Sequence, residues 1–564
     1  MITASERLAH LNDEFFDAMH SADPLSATVL GVAGYDARVP DLRGEAQDES
    51  VRRLRHIEAE LSAISGKQLS EPEATNVAVM TELARSLRTE LEDGVWAANA
   101  SAGAYVSPQA IAFQAIPTAP LDSPAAVADY LERLRQLPDF FDRILDRYRQ
   151  SAASGRFSTS VGVAQAVEQL EGHLNRPLPH DRLAAPLLSS GAARPSDREA
   201  ARDLLSDAVR PAMARLMAGL RDELLPTARP ESEVGIGFIP GGQEAYRRAV
   251  RRHTTTELSP EQIHQVGLDV LAELEEEWGE VGGRVFGGSD PAEVRRRLRE
   301  DPALRFSGSQ QIVDVVRSAL IRAEAARDGY FPTMEIADCV VEEIDPVESG
   351  NAAMAYYRGP SEAGRPGAHC VLTTAPETRF VYEYEALAFH ESVPGHHLQI
   401  ASAQRLTQLP KYRRYLDAQL CAYVEGWGLY SERLADEMGL YTSDLQRLGM
   451  LSFDALRACR LVVDTGMHQL GWSRHQAVEF MWQNTATTMS NVNNEVNRYI
   501  AWPGQALAYM IGRQEIVRLR RDSERALKDR FDRRGFHGAV LGQGAVPLAV
   551  LRQVVDRWQQ SFRA

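Results

Sequence analysis

The chain has 564 residues, of which 44% are hydrophobic and 25% charged, with a net charge of −16 and four cysteines. That is the composition of globular protein, long enough for a large core and, by length, for several domains. The acidic balance argues against nucleic acid or an anionic membrane as a main partner. No run of about 18 apolar residues occurs, so no membrane span is expected. Met1 to Arg7 shows no basic region ahead of an apolar core, so no signal peptide is expected. Cys339, Cys370, Cys421 and Cys459 are widely spaced with no CxxC pair. Neither a zinc knuckle nor a disulfide framework is suggested, and a cytoplasmic location is the simplest expectation.

Helical spacing starts in residues 5–20, with Leu8, Leu11, Phe15 and Met19. Residues 22–24 and 31–40 read as a turn-rich connector. The stretches 51–64, 73–91 and 123–152 are amphipathic helices, with Pro117 and Pro120 as punctuation. Residues 105–116 fit either a short helix or a loop. The proline-rich segment 176–198 reads as a loop, and helix resumes at 199–222. Glycine-rich 235–242 reads as another loop. Ser259-Pro260-Glu261 combines a cap, a first-turn proline and an acidic residue, and predicts a helix to about 281. Asp290-Pro291 and Ser309 open two more. Residues 338–344, 351–358 and 369–374 are short and rich in strand-forming residues, with a turn at 359–367. They predict one small β-sheet. From 380 onward the pattern is helical again: 382–401, 411–438, 444–470, 475–499, 505–530 and 547–562. The expectation is a mostly α chain forming one unit over 1–564. Residues 1–330 are mainly helical, and 331–564 hold the small sheet and the helices with the chemistry.

That chemistry centres on Phe389-His390-Glu391-Ser392-Val393-Pro394-Gly395-His396-His397-Leu398-Gln399. Imidazole is the commonest protein ligand for zinc-class metals, and an adjacent carboxylate can serve as general base. The pattern resembles the zincin signature HExxH, with Pro394 standing where the second histidine belongs. In a regular helix His396 would point roughly 240° away from His390, and His397 would share its face but lie roughly 10 Å along the axis. One metal can join two of them only if the helix bends. Pro394 lacks an N–H and its ring clashes with the carbonyl of His390, and Gly395 gives freedom to bulge. Pro394-Gly395 is therefore expected to bulge and carry His396 to the ligand position, with His397 as the fallback ligand. The plain alternative is a helix end followed by surface histidines.

The second informative stretch is Tyr423-Val424-Glu425-Gly426-Trp427-Gly428-Leu429-Tyr430-Ser431-Glu432. Two glycines inside a helix cost about 1 kcal/mol each relative to alanine, which suggests that something approaches the backbone closely. Glu425 among apolar residues needs a partner. Either a divalent cation or an arginine would serve, and the cation makes Glu425 the third ligand. Glu432 reads as more exposed and structural. No GxSxG elbow and no GxxxxGK[ST] loop occurs, so serine hydrolysis and nucleotide hydrolysis have no support.

The histidine motif, Glu425-Gly426-Trp427 and Trp502-Pro503-Gly504-Gln505-Ala506-Leu507-Ala508-Tyr509 together resemble the bacterial domain-of-unknown-function 885 family over most of the chain. That family is similar in helical fold to the carboxypeptidase Taq group of metallocarboxypeptidases. The resemblance implies a large helical, zincin-like peptidase fold with an active-site groove, the small sheet lying beside the active-site helix. A zinc-dependent, carboxypeptidase-like metallopeptidase is then expected. His390, His396 and Glu425 would hold Zn²⁺, and Glu391 would move the proton. Tyr499, Tyr509 or His468 would serve as a second donor to the developing oxyanion. Arg460, Arg513 and Arg358 are available for a terminal carboxylate. A peptide is the expected partner, held along a sheet edge. Two other readings are a metal-dependent hydrolase of a non-peptide amide or ester, and a catalytically silent helical binding protein.

Overall fold

Apolar residues spaced three and four apart turn most of the chain into helix, and prolines and glycines decide where each helix starts and stops. The computed structural model describes residues 3–64, 69–103, 105–344, 353–360, 365–415 and 418–562. The chain divides into two units. One comprises Met1–Arg248, Gly471–His475 and Asn497–Pro503, the other Ala249–Leu470, Gln476–Val496 and Gly504–Ala564. Among the described residues, the regular structure apart from one three-stranded sheet is helical.

In the first unit, helices Pro24–Leu30, Pro108–Ala115, Pro124–Ala153 and Pro195–Leu204 each begin on a proline, whose missing N–H is one the first turn would leave unused. Ser123 caps the longest of them by accepting from the Ala126 N–H. Its inner face, with Tyr130, Leu134, Leu137, Phe141 and Ile144, forms a core with Val163, Ala166, Leu170 and Leu216. Residues 105–116 prove to contain a helix. The expected loop at 176–198 contains short helical turns, including Ala185–Ser189. Helix Ser160–Asn175 has no counterpart among the helices that the apolar spacing predicts.

The second unit carries the sheet and the helices around it. The helices used below are α1 (Pro260–Phe286), α2 (Ser309–Ala326), α3 (Tyr384–Glu391), α4 (His396–Arg405), α5 (Cys421–Glu437), α6 (Asp444–His468) and α7 (Ala508–Leu527). Ser259 and Gln262 close α1 with a reciprocal capping box. The strands are β1 (Cys339–Glu343), β2 (Ala355–Arg358) and β3 (Gly367–Val371), in the order β1-β3-β2. β1 runs parallel to β3 and β2 antiparallel to it. Asn351 and Ala352 of the expected second strand, and residues 361–364 of the expected turn, lie outside the described residues. The stretch 475–499, expected as one helix, is two: Arg474–Asn484 and Met489–Ala501. Helix Arg533–Leu541 is a further one that the spacing does not predict.

α1 packs along α6, and α5 along α7. The second pair touches backbone to backbone. A Cβ on Gly426 of α5 would lie 2.5 Å from the Gly512 carbonyl carbon, and one on Gly512 of α7 would lie 1.7 Å from the Ala422 oxygen. Gly426→Ala should therefore push the two helices apart and destabilise the protein by about 1–3 kcal/mol, the usual cost of overpacking. Exposed Gly172, on a helix where an added Cβ would meet nothing within 4 Å, is the contrasting case. Gly172→Ala should stabilise by up to about 1 kcal/mol. Urea denaturation of the two variants beside the parent checks both signs.

Candidate metal centre

His390 lies one residue from the end of α3. The chain then leaves helical geometry at Ser392 (φ −111°, ψ −117°) and again at Gly395 (φ −80°, ψ −131°), with a cis peptide between Val393 and Pro394. A new helix, α4, starts at His396. The expected bulge within one helix is thus a complete break between two. Proline cannot continue the hydrogen-bond ladder, and the chain folds back so tightly that a Cβ on Gly395 would sit 1.9 Å from the His390 carbonyl oxygen. α5 holds the break in place. The Trp427 indole N–H donates to the Pro394 carbonyl at 2.9 Å, and the Ser431 hydroxyl donates to the same oxygen at 3.2 Å.

The break brings two imidazoles together although six positions separate them. The rings of His390 and His396 lie 4.7 Å apart, edge to face. Glu425 arrives from α5, with its Oε2 3.5 Å from His390 Nε2 and 3.5 Å from His396 Nε2. Ligand atoms of the three residues all fall within 4.8 Å of one another. Two ligands at about 2.0–2.1 Å from a tetrahedral zinc-class ion stand about 3.3 Å apart, so the two carboxylate–imidazole spacings fit such an ion. Gly428 makes the space: a Cβ there would lie 2.7 Å from His390 Cε1 and 3.0 Å from His396 Cε1. The glycines flanking Trp427 thus have separate tasks, one admitting α7 and the other the imidazoles.

His397 faces elsewhere. With its Nε2–H donating to the Ala337 carbonyl at 2.9 Å, its Nδ1 accepts from the Tyr357 hydroxyl at 3.0 Å. Burial pushes its pKa down to about 4. Geometry thus groups His396, and not the fallback His397, with His390 and Glu425.

Glu432 departs from its expected place. It is fully buried, not exposed, and accepts from His390 Nδ1–H at 2.7 Å. This bond holds the Nδ1 edge of the ring against Glu432 and so turns Nε2 toward Glu425. A signal for it exists in the sequence: Glu432 follows Glu425 by seven residues, two turns along the same helix face. Burial alone would disfavour charge on His390, but Glu425, Glu432 and Glu391 outweigh it and raise its pKa to about 9. Burial likewise disfavours charge on Glu425, yet the two histidines hold it well below the carboxylate range. Glu391 goes the other way. Burial, with Glu425 adding, lifts its pKa against the pull of His390, His396 and Arg457.

The remaining expected residues are placed as follows. Tyr509 is the second residue of α7, with its ring beneath the Arg460 guanidinium, 4.3 Å from the centroid. His468 ends α6 and is buried, and Tyr499 is buried in the first unit. Each arginine named for a substrate carboxylate already has an acid: Arg460 pairs with Glu495 at 2.7 Å, Arg513 with Asp454 at 2.8 Å and Arg358 with Glu342 at 2.6 Å.

The helix that carries His390 starts beside Glu383, which is 2% exposed. Burial pushes its pKa up to about 8, against the pull of Arg305, Arg379 and Arg457. The folded protein therefore keeps this proton while the unfolded chain loses it. Stability from this group is full below the ordinary carboxylate range and falls as pH rises from there to about 8. In Glu383→Gln the loss of melting temperature between about pH 5 and pH 8 should be visibly smaller than in the parent. Gly428→Ala should displace the imidazoles, and whatever zinc affinity the parent shows in chelator competition should fall at least tenfold, with the fold retained by circular dichroism.

Comparison with known proteins agrees with the helical architecture. The structure of a putative lipoprotein from Colwellia psychrerythraea is 26% identical to this chain, with a TM-score of 0.91 and 100% of both chains covered. A putative lipoprotein of unknown function from Shewanella oneidensis shares 17% identity and a TM-score of 0.75, covering 97% of this chain and 99% of its own; at that identity it supports the fold alone. No curated protein matches. Among the described residues no helix is long and apolar enough to cross a membrane. The model of the family described as bacterial protein of unknown function (DUF885) matches residues 24–555, and the chain belongs to that family.

Proposed function

We propose that this protein is a zinc-dependent metallopeptidase, a carboxypeptidase-like hydrolase in a helical, zincin-like setting. One observation carries the reading: two imidazoles and a carboxylate from three helices converge at metal-ligand spacing, with a second carboxylate, Glu391, next to His390 in sequence. His390, His396 and Glu425 would hold the ion. When bound, an ion of the zinc class supplies Lewis acidity toward a substrate carbonyl and an attacking water.

The chain's own residues do the rest. Glu391, whose pKa is raised by burial, takes the proton of the attacking water and returns it to the leaving amine. Glu432 orients His390 through Nδ1. β2 ends the strand order β1-β3-β2, and the proposed peptide would add to that edge by main-chain hydrogen bonds. Tyr509 and His468, which belong to the same unit as the imidazoles, remain the proposed donors to the oxyanion. The carboxylate partners of Arg460, Arg513 and Arg358 reduce the case for any of them as the anchor of a substrate terminus. On location, the four cysteines are free thiols, as a cytoplasmic protein would have. The 26% identical relative from Colwellia psychrerythraea is described as a putative lipoprotein, which points away from that compartment.

A peptide-library digest read by mass spectrometry tests activity and end preference together. Glu391→Gln should keep its metal and lose about 10²–10⁴-fold in peptide hydrolysis. Unchanged hydrolysis removes Glu391 from the mechanism. Cleavage of esters or non-peptide amides without cleavage of any peptide replaces the peptidase reading by a different hydrolase.

A further inference from the structure

We propose that Arg457 is a positioning residue of the metal centre, holding the Glu432 carboxylate against His390. The inference rests on the metal-site reading above and adds a residue that the sequence pattern does not single out.

Arg457 projects from α6 and is buried, with its guanidinium carbon 4.5 Å from the centre of the Phe453 ring. Its Nη2 stands 3.6 Å from Glu432 Oε1, an ion-pair distance just beyond a hydrogen bond. Its Nε and Nη1 are buried with no hydrogen-bond partner among the described residues, and so is Glu432 Oε2. Two of the three guanidinium nitrogens are thus closed to solvent, and the third faces Glu432. The guanidinium is well placed to balance a fully buried carboxylate, which is costly to hold without a counter-charge. Glu432 Oε1 therefore lies between two groups, the His390 Nδ1–H at 2.7 Å and the Arg457 charge at 3.6 Å.

The Phe453 ring limits where the guanidinium can go, by packing and by cation–π attraction. The order of support thus runs from Phe453 to Arg457, Glu432 and His390 Nδ1, and His390 Nε2 is the atom beside Glu425 and His396. Without Arg457, the hydrogen bond from His390 is the one contact left to hold the Glu432 carboxylate among the described residues, and the ring is oriented less firmly. The contact acts as a charge and not as a bidentate fork, so lysine should substitute for arginine far better than methionine does.

The test is zinc affinity of the full chain, measured by chelator competition, in the parent, Arg457→Met, Arg457→Lys, Glu432→Gln and the double variant Glu432→Gln/Arg457→Met. Arg457→Met is expected to weaken zinc about tenfold and Glu432→Gln by about 10- to 100-fold. Arg457→Lys should keep most of the affinity. The double variant should bind no more weakly than Glu432→Gln alone, because Glu391 and Glu383, the other carboxylates that feel the Arg457 charge, are not ligands of the proposed centre. Parental affinity in Arg457→Met, or fully additive losses in the double variant, overturns the proposal while leaving the metal-site reading intact. A parent that takes up no zinc overturns both. If Arg457→Met does not fold, Arg457→Lys decides: a loss as large as that of Glu432→Gln contradicts a charge contact.

Discussion

Four residues, Ser392 to Gly395, turn the chain so that His390 and His396 meet, and every other feature of the centre accommodates that turn. The turn is tight enough to exclude a Cβ at position 395. It is held from outside by two donors on α5 that share the Pro394 carbonyl. The same helix contributes Glu425 toward the imidazoles, Gly428 beneath them and Glu432 behind one of them. A single helix therefore supplies the proposed third ligand, the clearance and an orienting carboxylate. Seven-residue spacing puts Glu425 and Glu432 on one face, with Gly428 between.

Placement of α5 depends in turn on α7. The backbones approach at Gly426 and Gly512, so the helix bearing Glu425 is seated by a contact that admits no side chain. Behind α5, α6 brings the buried charges Arg457 and Asp454, the latter paired with both Arg433 and Arg513. Buried acids and buried arginines alternate through this layer. That arrangement lets several carboxylates approach two histidines without an uncompensated excess of negative charge.

Much of this is legible in the sequence. Helical periodicity reveals the class, and caps such as Ser259-Pro260 place helix starts. The two glycines around Trp427 announce a close approach whose cause only the structure shows. What is not legible depends on tertiary packing. A proline within a helical pattern signals a disturbance, but not whether the helix bulges or ends. Here it ends, because α5 captures the Pro394 carbonyl from outside. Glu432 is easily misjudged because local hydrophobicity says little about which side of a helix faces a neighbour. Helices Ser160–Asn175, Gly242–Thr254 and Arg533–Leu541 escape the apolar-spacing criterion, and the last two are rich in arginine. Their charged faces dilute the apolar spacing on which such readings depend.

The most direct test of the metal centre is the zinc content of purified protein after growth in zinc, compared across the parent, His396→Ala and His397→Ala. About one equivalent per chain is predicted in the parent, little in His396→Ala and near-parental content in His397→Ala. Zinc kept by His396→Ala but lost from His397→Ala, or a parent without zinc, would contradict the convergence of His390, His396 and Glu425 on one ion.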